Sequence, residues 1–115
     1  MPLSEVQIRE CLKATGEFLT KRRPPPELRD KLDFHADINN QEVTILSVRP
    51  AYNDPRRKAE YPIAKARWVG TQKVWRLFWM QSDMNWHSYK PLPESPSIAT
   101  LLEEVDRDTH CCFFG

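Results

Sequence analysis

Three groups of side chains in this sequence have the types and spacing to do chemistry. The first is basic and aromatic. Residues 56–76 hold seven basic residues against one acid, Glu60, with Trp68 and Trp75 among them and Phe78 and Trp79 just beyond. Guanidinium groups take phosphate oxygens and ring faces take bases, so this mixture would suit a single-stranded polyanion. The second group is His110, Cys111 and Cys112, with His35 and His87 elsewhere. A structural zinc wants ligands paired as Cys-x2-Cys or His-x3-His, so that two side chains converge. Adjacent cysteines on an extended chain point to opposite sides. His110, Cys111 and Cys112 are therefore metal candidates without the expected spacing; packing of a cysteine as a small hydrophobe is the simpler reading. No cofactor is called for. The third group is the carboxylate pair Asp33 and Asp37. On one strand face they stand ~13 Å apart, too far for the ~5 Å of a retaining carboxylate pair. The chain has no Gly-x-Ser-x-Gly elbow, and its three glycines do not build a phosphate-cradling loop. A small enzyme is the least supported reading.

Positioning the basic group falls to a hairpin. An even-length turn at Gly70-Thr71-Gln72-Lys73 sets Val69 against Val74, Trp68 against Trp75, Ala66 against Leu77 and Ala64 against Trp79. Small residues then face large ones on one side. On the other side Arg67 faces Arg76, and Lys65 faces Phe78. Like charges directly opposite destabilise a ladder, so something should neutralise them. Asp33, Asp37 and an acidic C-terminal helix are the local candidates, and a bound anion is the external one. Trp68, Trp75 and Trp79 read as core, whereas Trp86, His87 and Tyr89 stand apart from that alternation.

The rest of the chain supplies the frame. Ser4 and Gln7 form a capping box for a helix over 5–22, with Leu3 and Ile8 at the staple positions. Ile8, Leu12, Thr15 and Leu19 recur at helical spacing, and Pro24-Pro25-Pro26 ends the helix. Leu32, Phe34, Ala36 and Ile38 alternate with Asp33, His35 and Asp37, as in a half-buried strand. Residues 43–48 are apolar on both parities, as a strand covered on both faces would be. The stretch 49–62 reads as a long exposed loop. Strands follow at 63–69, 74–81 and 86–90, and Ser97 caps a second helix over 98–107 with Ile98, Leu101, Leu102 and Val105 inward. Phe113 and Phe114 should dock rather than stay exposed. The expected fold is α+β: a five-stranded antiparallel meander with N- and C-terminal helices packed on one face. The second face has no obvious cover.

A chain of 115 residues makes a single domain, 1–115, and buries enough surface to fold without disulfides or metal. Seventeen basic against sixteen acidic residues give a net charge of +1, so the protein as a whole does not attract nucleic acid or membrane. No apolar run approaches the ~18 residues that span a bilayer. The start Met-Pro-Leu-Ser-Glu-Val does not resemble a secretory signal, and three cysteines, two adjacent, suit a reducing compartment. A cytoplasmic location is the expectation.

Several segments together carry a resemblance. They are Val48-Arg49-Pro50, Lys65-Ala66-Arg67, Val74 through Trp79, Asp83-Met84-Asn85-Trp86-His87-Ser88-Tyr89, and the ending Glu104 through Asp108 with Cys112-Phe113-Phe114-Gly115. They resemble the bacterial family known as domain of unknown function 3024. Met80-Gln81 and Ser47 depart from its pattern. The resemblance implies a small bacterial cytosolic protein and brings no activity with it. The reading that results is a non-catalytic binding or interaction module. Its alternatives are an anion or nucleic-acid binder using the basic sheet face, or a small enzyme. The candidate ligand-binding residues are Arg49, Lys65, Arg67, Arg76, Asp83, Trp86, His87 and Tyr89. A homodimer through the uncovered sheet face is the expected partner arrangement, with nucleic acid the other and no membrane.

Overall fold

The computed structural model describes residues 3–110 and 112–114. Helix α1 (Glu5–Arg22) starts at Ser4, whose hydroxyl accepts from the Gln7 amide at 3.2 Å while the Gln7 side chain accepts from the Ser4 amide at 2.9 Å. Two otherwise orphaned donors are thereby satisfied. Five strands follow in meander order, all pairs antiparallel: β1 (Asp33–Asn39), β2 (Glu42–Pro50), β3 (Lys58–Val69), β4 (Val74–Met80) and β5 (Trp86–Ser88). A two-residue strand, β6 (Glu94–Ser95), pairs with Trp75 and Arg76, the part of β4 that β5 leaves free. Helix α2 (Ile98–Arg107) closes the order. The fold is α+β, with α1 against β1 and α2, and α2 against β3, β4 and β6.

Both helices cover the face that bears Phe34, Val43, Ile45, Ala64, Ala66, Trp75 and Leu77, and these join Cys11, Phe18, Leu101 and Val105 in one core. The β3–β4 register is the one the turn dictates: Ala64 faces Trp79, Ala66 faces Leu77, and Arg67 faces Arg76. Trp75 is fully buried, and Trp68 and Trp79 pack partly buried against the core.

Four elements differ from expectation. Half of the stretch 49–62 is strand: β2 continues to Pro50 and β3 already begins at Lys58. Its prolines sit where a ladder can spare them: Pro50 ends β2, Pro55 lies in the connecting turn, and Pro62 stands where a register shift between Ile45 and Leu46 leaves Ile63 as an extra residue. The fifth strand stops at Ser88, since Pro91 and Pro93 cannot continue a ladder. On α1 the buried stripe is Cys11, Ala14, Thr15 and Phe18, whereas Ile8 and Leu12 stay 38% and 59% exposed. The helix has to meet both the sheet and α2, and small side chains allow that double approach. Lastly, β2 is not covered on both faces: Thr44, Leu46 and Val48 lie half-buried on the face without helices.

The C-terminal tail docks. Asp108 caps α2 in the left-handed region (φ 46), and its carboxylate accepts from the amides of Phe113 at 3.0 Å and Phe114 at 2.9 Å. The Phe113 ring packs 4.9 Å from that of Tyr89, while the Phe114 ring meets Phe34 edge-on at 5.5 Å and lies 4.0 Å beneath the Arg22 guanidinium.

Candidate functional site on the open sheet face

Cross-strand partners share a face, so the register lays out the side without helices row by row. One row runs Asp37, Thr44, Lys65, Phe78, Ser88, and the next runs Asn39, Glu42, Arg67, Arg76, Glu94. Met80 and Trp86 form a further pair beside Phe78. The Lys65 ammonium stands 5.3 Å from the Phe78 ring centre and 4.9 Å from that of Trp86. Its side chain is only 17% exposed, with the Glu42 carboxylate 4.0 Å away. An ammonium over two ring faces is attracted by their negative quadrupoles while its stem covers apolar surface.

The two arginines are treated unequally. Arg76 donates to Gln72 Oε1 at 2.8 Å and has the Glu94 carboxylate at 3.8 Å. Among the described residues no carboxylate pairs with Arg67, although Glu42 and Arg76 are its cross-strand neighbours. The local countercharge therefore comes from Glu42 and Glu94, not from Asp33, Asp37 or α2. Asp33 is held elsewhere by a bidentate pair with Arg23, both contacts 2.8 Å.

The sequence-based candidates thus divide. Lys65, Arg67, Arg76 and Trp86 come together on the open face. Asp83 and His87 pair with each other at 2.8 Å across the β4–β5 turn. The Asn85 amide, and after it His87, hold the Asp83 carboxyl below the usual carboxylate range. Tyr89 is 1% exposed, and its hydroxyl donates to Glu104 Oε2 at 2.7 Å. Burial first, and Glu104 second, push its phenol well above the usual value. It ties the sheet to α2 and does not stand with Lys65 and Arg67 on the open face. Arg49 is exposed at the far end of β2, where it lines a shallow hollow with Ser47, Tyr52 and Tyr61. Among the described residues no three His, Cys, Asp or Glu side chains converge as metal ligands. His110 lies against the Tyr89 ring at 6.3 Å, Cys112 is half-buried, and Cys111 lies outside the described residues.

Glu42 and Glu94 were not legible as members of this site, and Gln72 was missed. Glu42 meets Lys65 and Arg67 only through a β2–β3 register that the bulge at Ile63 shifts. Glu94 depends on a strand of two residues, too short for any periodicity. Gln72 could have been found, because it stands four residues before Arg76 across the hairpin turn.

The family model described as Domain of unknown function (DUF3024) matches residues 3–115. The chain belongs to the DUF3024 family. No curated protein matches it, and neither does any solved structure. The match spans both helices and the whole sheet of this DUF3024 chain, so the open face is part of the family's domain rather than an addition to it. Among the described residues no helix is long and apolar enough to cross a membrane.

Proposed function

We propose that this DUF3024 protein is a non-catalytic binding module whose open sheet face takes a flexible polyanion, single-stranded nucleic acid. The observation that carries the reading is Arg67 directly opposite Arg76, one row from the Lys65–Phe78–Trp86 cluster. Opposed like charges weaken a ladder, and among the described residues only Arg76 of the two forms an ion pair with a carboxylate. A phosphate between the guanidinium groups would offset that cost with charge-assisted hydrogen bonds. Phe78 and Trp86 then offer ring surface one row away, and stacking of a base on an aromatic side chain contributes ~1–3 kcal/mol. An antiparallel sheet with helices behind it and arginines among aromatic side chains in front suits a strand whose bases are splayed out rather than a closed duplex.

Titration of the intrinsic fluorescence with a single-stranded oligonucleotide at several salt concentrations tests this. The expected result is quenching, with affinity falling as salt rises by a log–log slope of about −0.7 per phosphate neutralised. Arg67→Ala and Arg76→Ala should each lower that slope by about one contact. An absence of binding at roughly 50 mM salt, where phosphate contacts are strong, would overturn the reading.

A further inference from the structure

We propose that a second copy of this chain joins it edge to edge through β1, making a two-fold dimer with one continuous sheet and the open face left free on both halves. This does not rest on the polyanion reading, and it moves self-association from the sheet face, where it was expected, to the sheet edge.

The two lateral edges of the sheet are unlike. One is made of β5 and β6, three and two residues long, with Pro91, Pro93 and Pro96 around them. The other is β1, seven residues paired on one side with β2, without a proline or a register shift. The outer side of such a strand presents unpaired N–H and C=O groups, and proteins usually blunt it with charge. β1 does carry polar side chains, but they are self-complementary as hydrogen-bond donor and acceptor. In an antiparallel pairing centred on Ala36, Asp33 faces Asn39 of the second copy, Phe34 faces Ile38, His35 faces Asp37, and Ala36 faces itself. Apolar side chains meet on the helix side, and His35 meets Asp37 twice on the open side. A slip of one residue would set apolar positions against polar ones. A slip of two would set His35 against His35 or Asp37 against Asp37. Among the described residues neither the His35 nor the Asp37 side chain has a hydrogen-bond or ion-pair partner, and both residues are exposed.

The flank of α1 supplies a second, independent observation. Helix α1 lies against β1, and α2 lies along the side of α1 that carries Ala14, Glu17 and Lys21. At 3.6 residues per turn Leu12 points about 160° away from Ala14, toward the free edge of the sheet. Ile8 and Leu12 are apolar there and remain 38% and 59% exposed. A two-fold axis perpendicular to the sheet keeps both helical layers on one side, so the two α1 helices would run antiparallel with these flanks facing. Strands ~4.8 Å apart and helices ~8–10 Å apart are compatible when each α1 lies just inward of its own β1.

Sedimentation equilibrium of the full chain tests the proposal, with urea denaturation monitored by circular dichroism to show that each variant still folds. The expected mass is twice the 13.6 kDa of the chain. His35→Glu sets carboxylates against Asp37 at both symmetric positions and should weaken dimerisation about tenfold, as two like-charged cross-strand pairs would. Asp37→Lys added to His35→Glu sets opposite charges face to face in this register alone and should recover the dimer. Leu12→Glu, at an exposed position, should give a folded monomer. A monomeric wild-type chain at high concentration would overturn the proposal. So would a dimer that ignores His35→Glu and Leu12→Glu, or a double variant that fails to recover.

Discussion

At the residue scale, Asp33 shows how one carboxylate can be fully committed without any functional part. Arg23 holds both its oxygens, and the Phe34 amide donates to Oδ1 at 2.8 Å. The guanidinium hydrogen bond first, and the Phe34 amide after it, bring the Asp33 carboxyl down to about 2. The folded value lies below the unfolded one, so the stabilisation is complete above the ordinary carboxylate range and is lost as pH falls through about 2. Asp33→Asn should cost about 1 kcal/mol at neutral pH, a modest figure because the pair is partly exposed. Its urea midpoint should also fall less steeply than that of the wild type between roughly pH 5 and 2, where the wild-type carboxylate is being titrated. Equal slopes in that window would show that the pair adds nothing. From the sequence Asp33 was legible as a polar strand position and as one candidate countercharge for Arg67 and Arg76, but not as the partner of Arg23. Arg23 follows a proline-terminated helix, and where such a chain turns back cannot be read from spacing.

At the element scale, capping and turn chemistry were the most legible features. The α1 cap, the limits of α2 and the β3–β4 register each follow from local rules acting over a few residues. The α1 face and β6 were not legible, because both depend on what lies across the molecule. The docked tail stands between these cases. Its two phenylalanines predict burial, but nothing in their spacing predicts the clip. The residue at the end of α2 is left-handed, a conformation that favours glycine, yet it is Asp108, whose carboxylate holds the amides of Phe113 and Phe114. Asp108→Ala should therefore destabilise by about 2 kcal/mol or more, since it keeps the backbone strain and loses both hydrogen bonds. Asp108→Gly should cost less, because it loses the bonds but relieves the strain. Asp108→Asn should be mildest, as asparagine tolerates the conformation and keeps one acceptor oxygen. Urea midpoints that placed glycine at or above the wild type would show that the clip contributes nothing.

At the scale of the whole molecule, the two ends of the chain lock the helices to the sheet. Arg22 near the end of α1 donates from Nε to Asp106 of α2 at 2.9 Å and stacks over Phe114. Phe114 also contacts Phe18 of α1 and Phe34 of β1, so residues far apart in sequence meet at one corner. The meander can form from local hairpins, but the buried side of the sheet is covered only when both helices and the tail are in place. One core of this kind should unfold in one step. Far-UV circular dichroism, dominated by α1 and α2, and the fluorescence of the tryptophans, with Trp75 in the core, should give coincident urea transitions. The slope should be ~1–3 kcal/mol per molar urea, the range for a small domain. If helical signal were lost before the tryptophan signal moved, the helices would be a separable layer, and the corner built by Arg22, Phe34 and Phe114 would not be what couples them to the sheet.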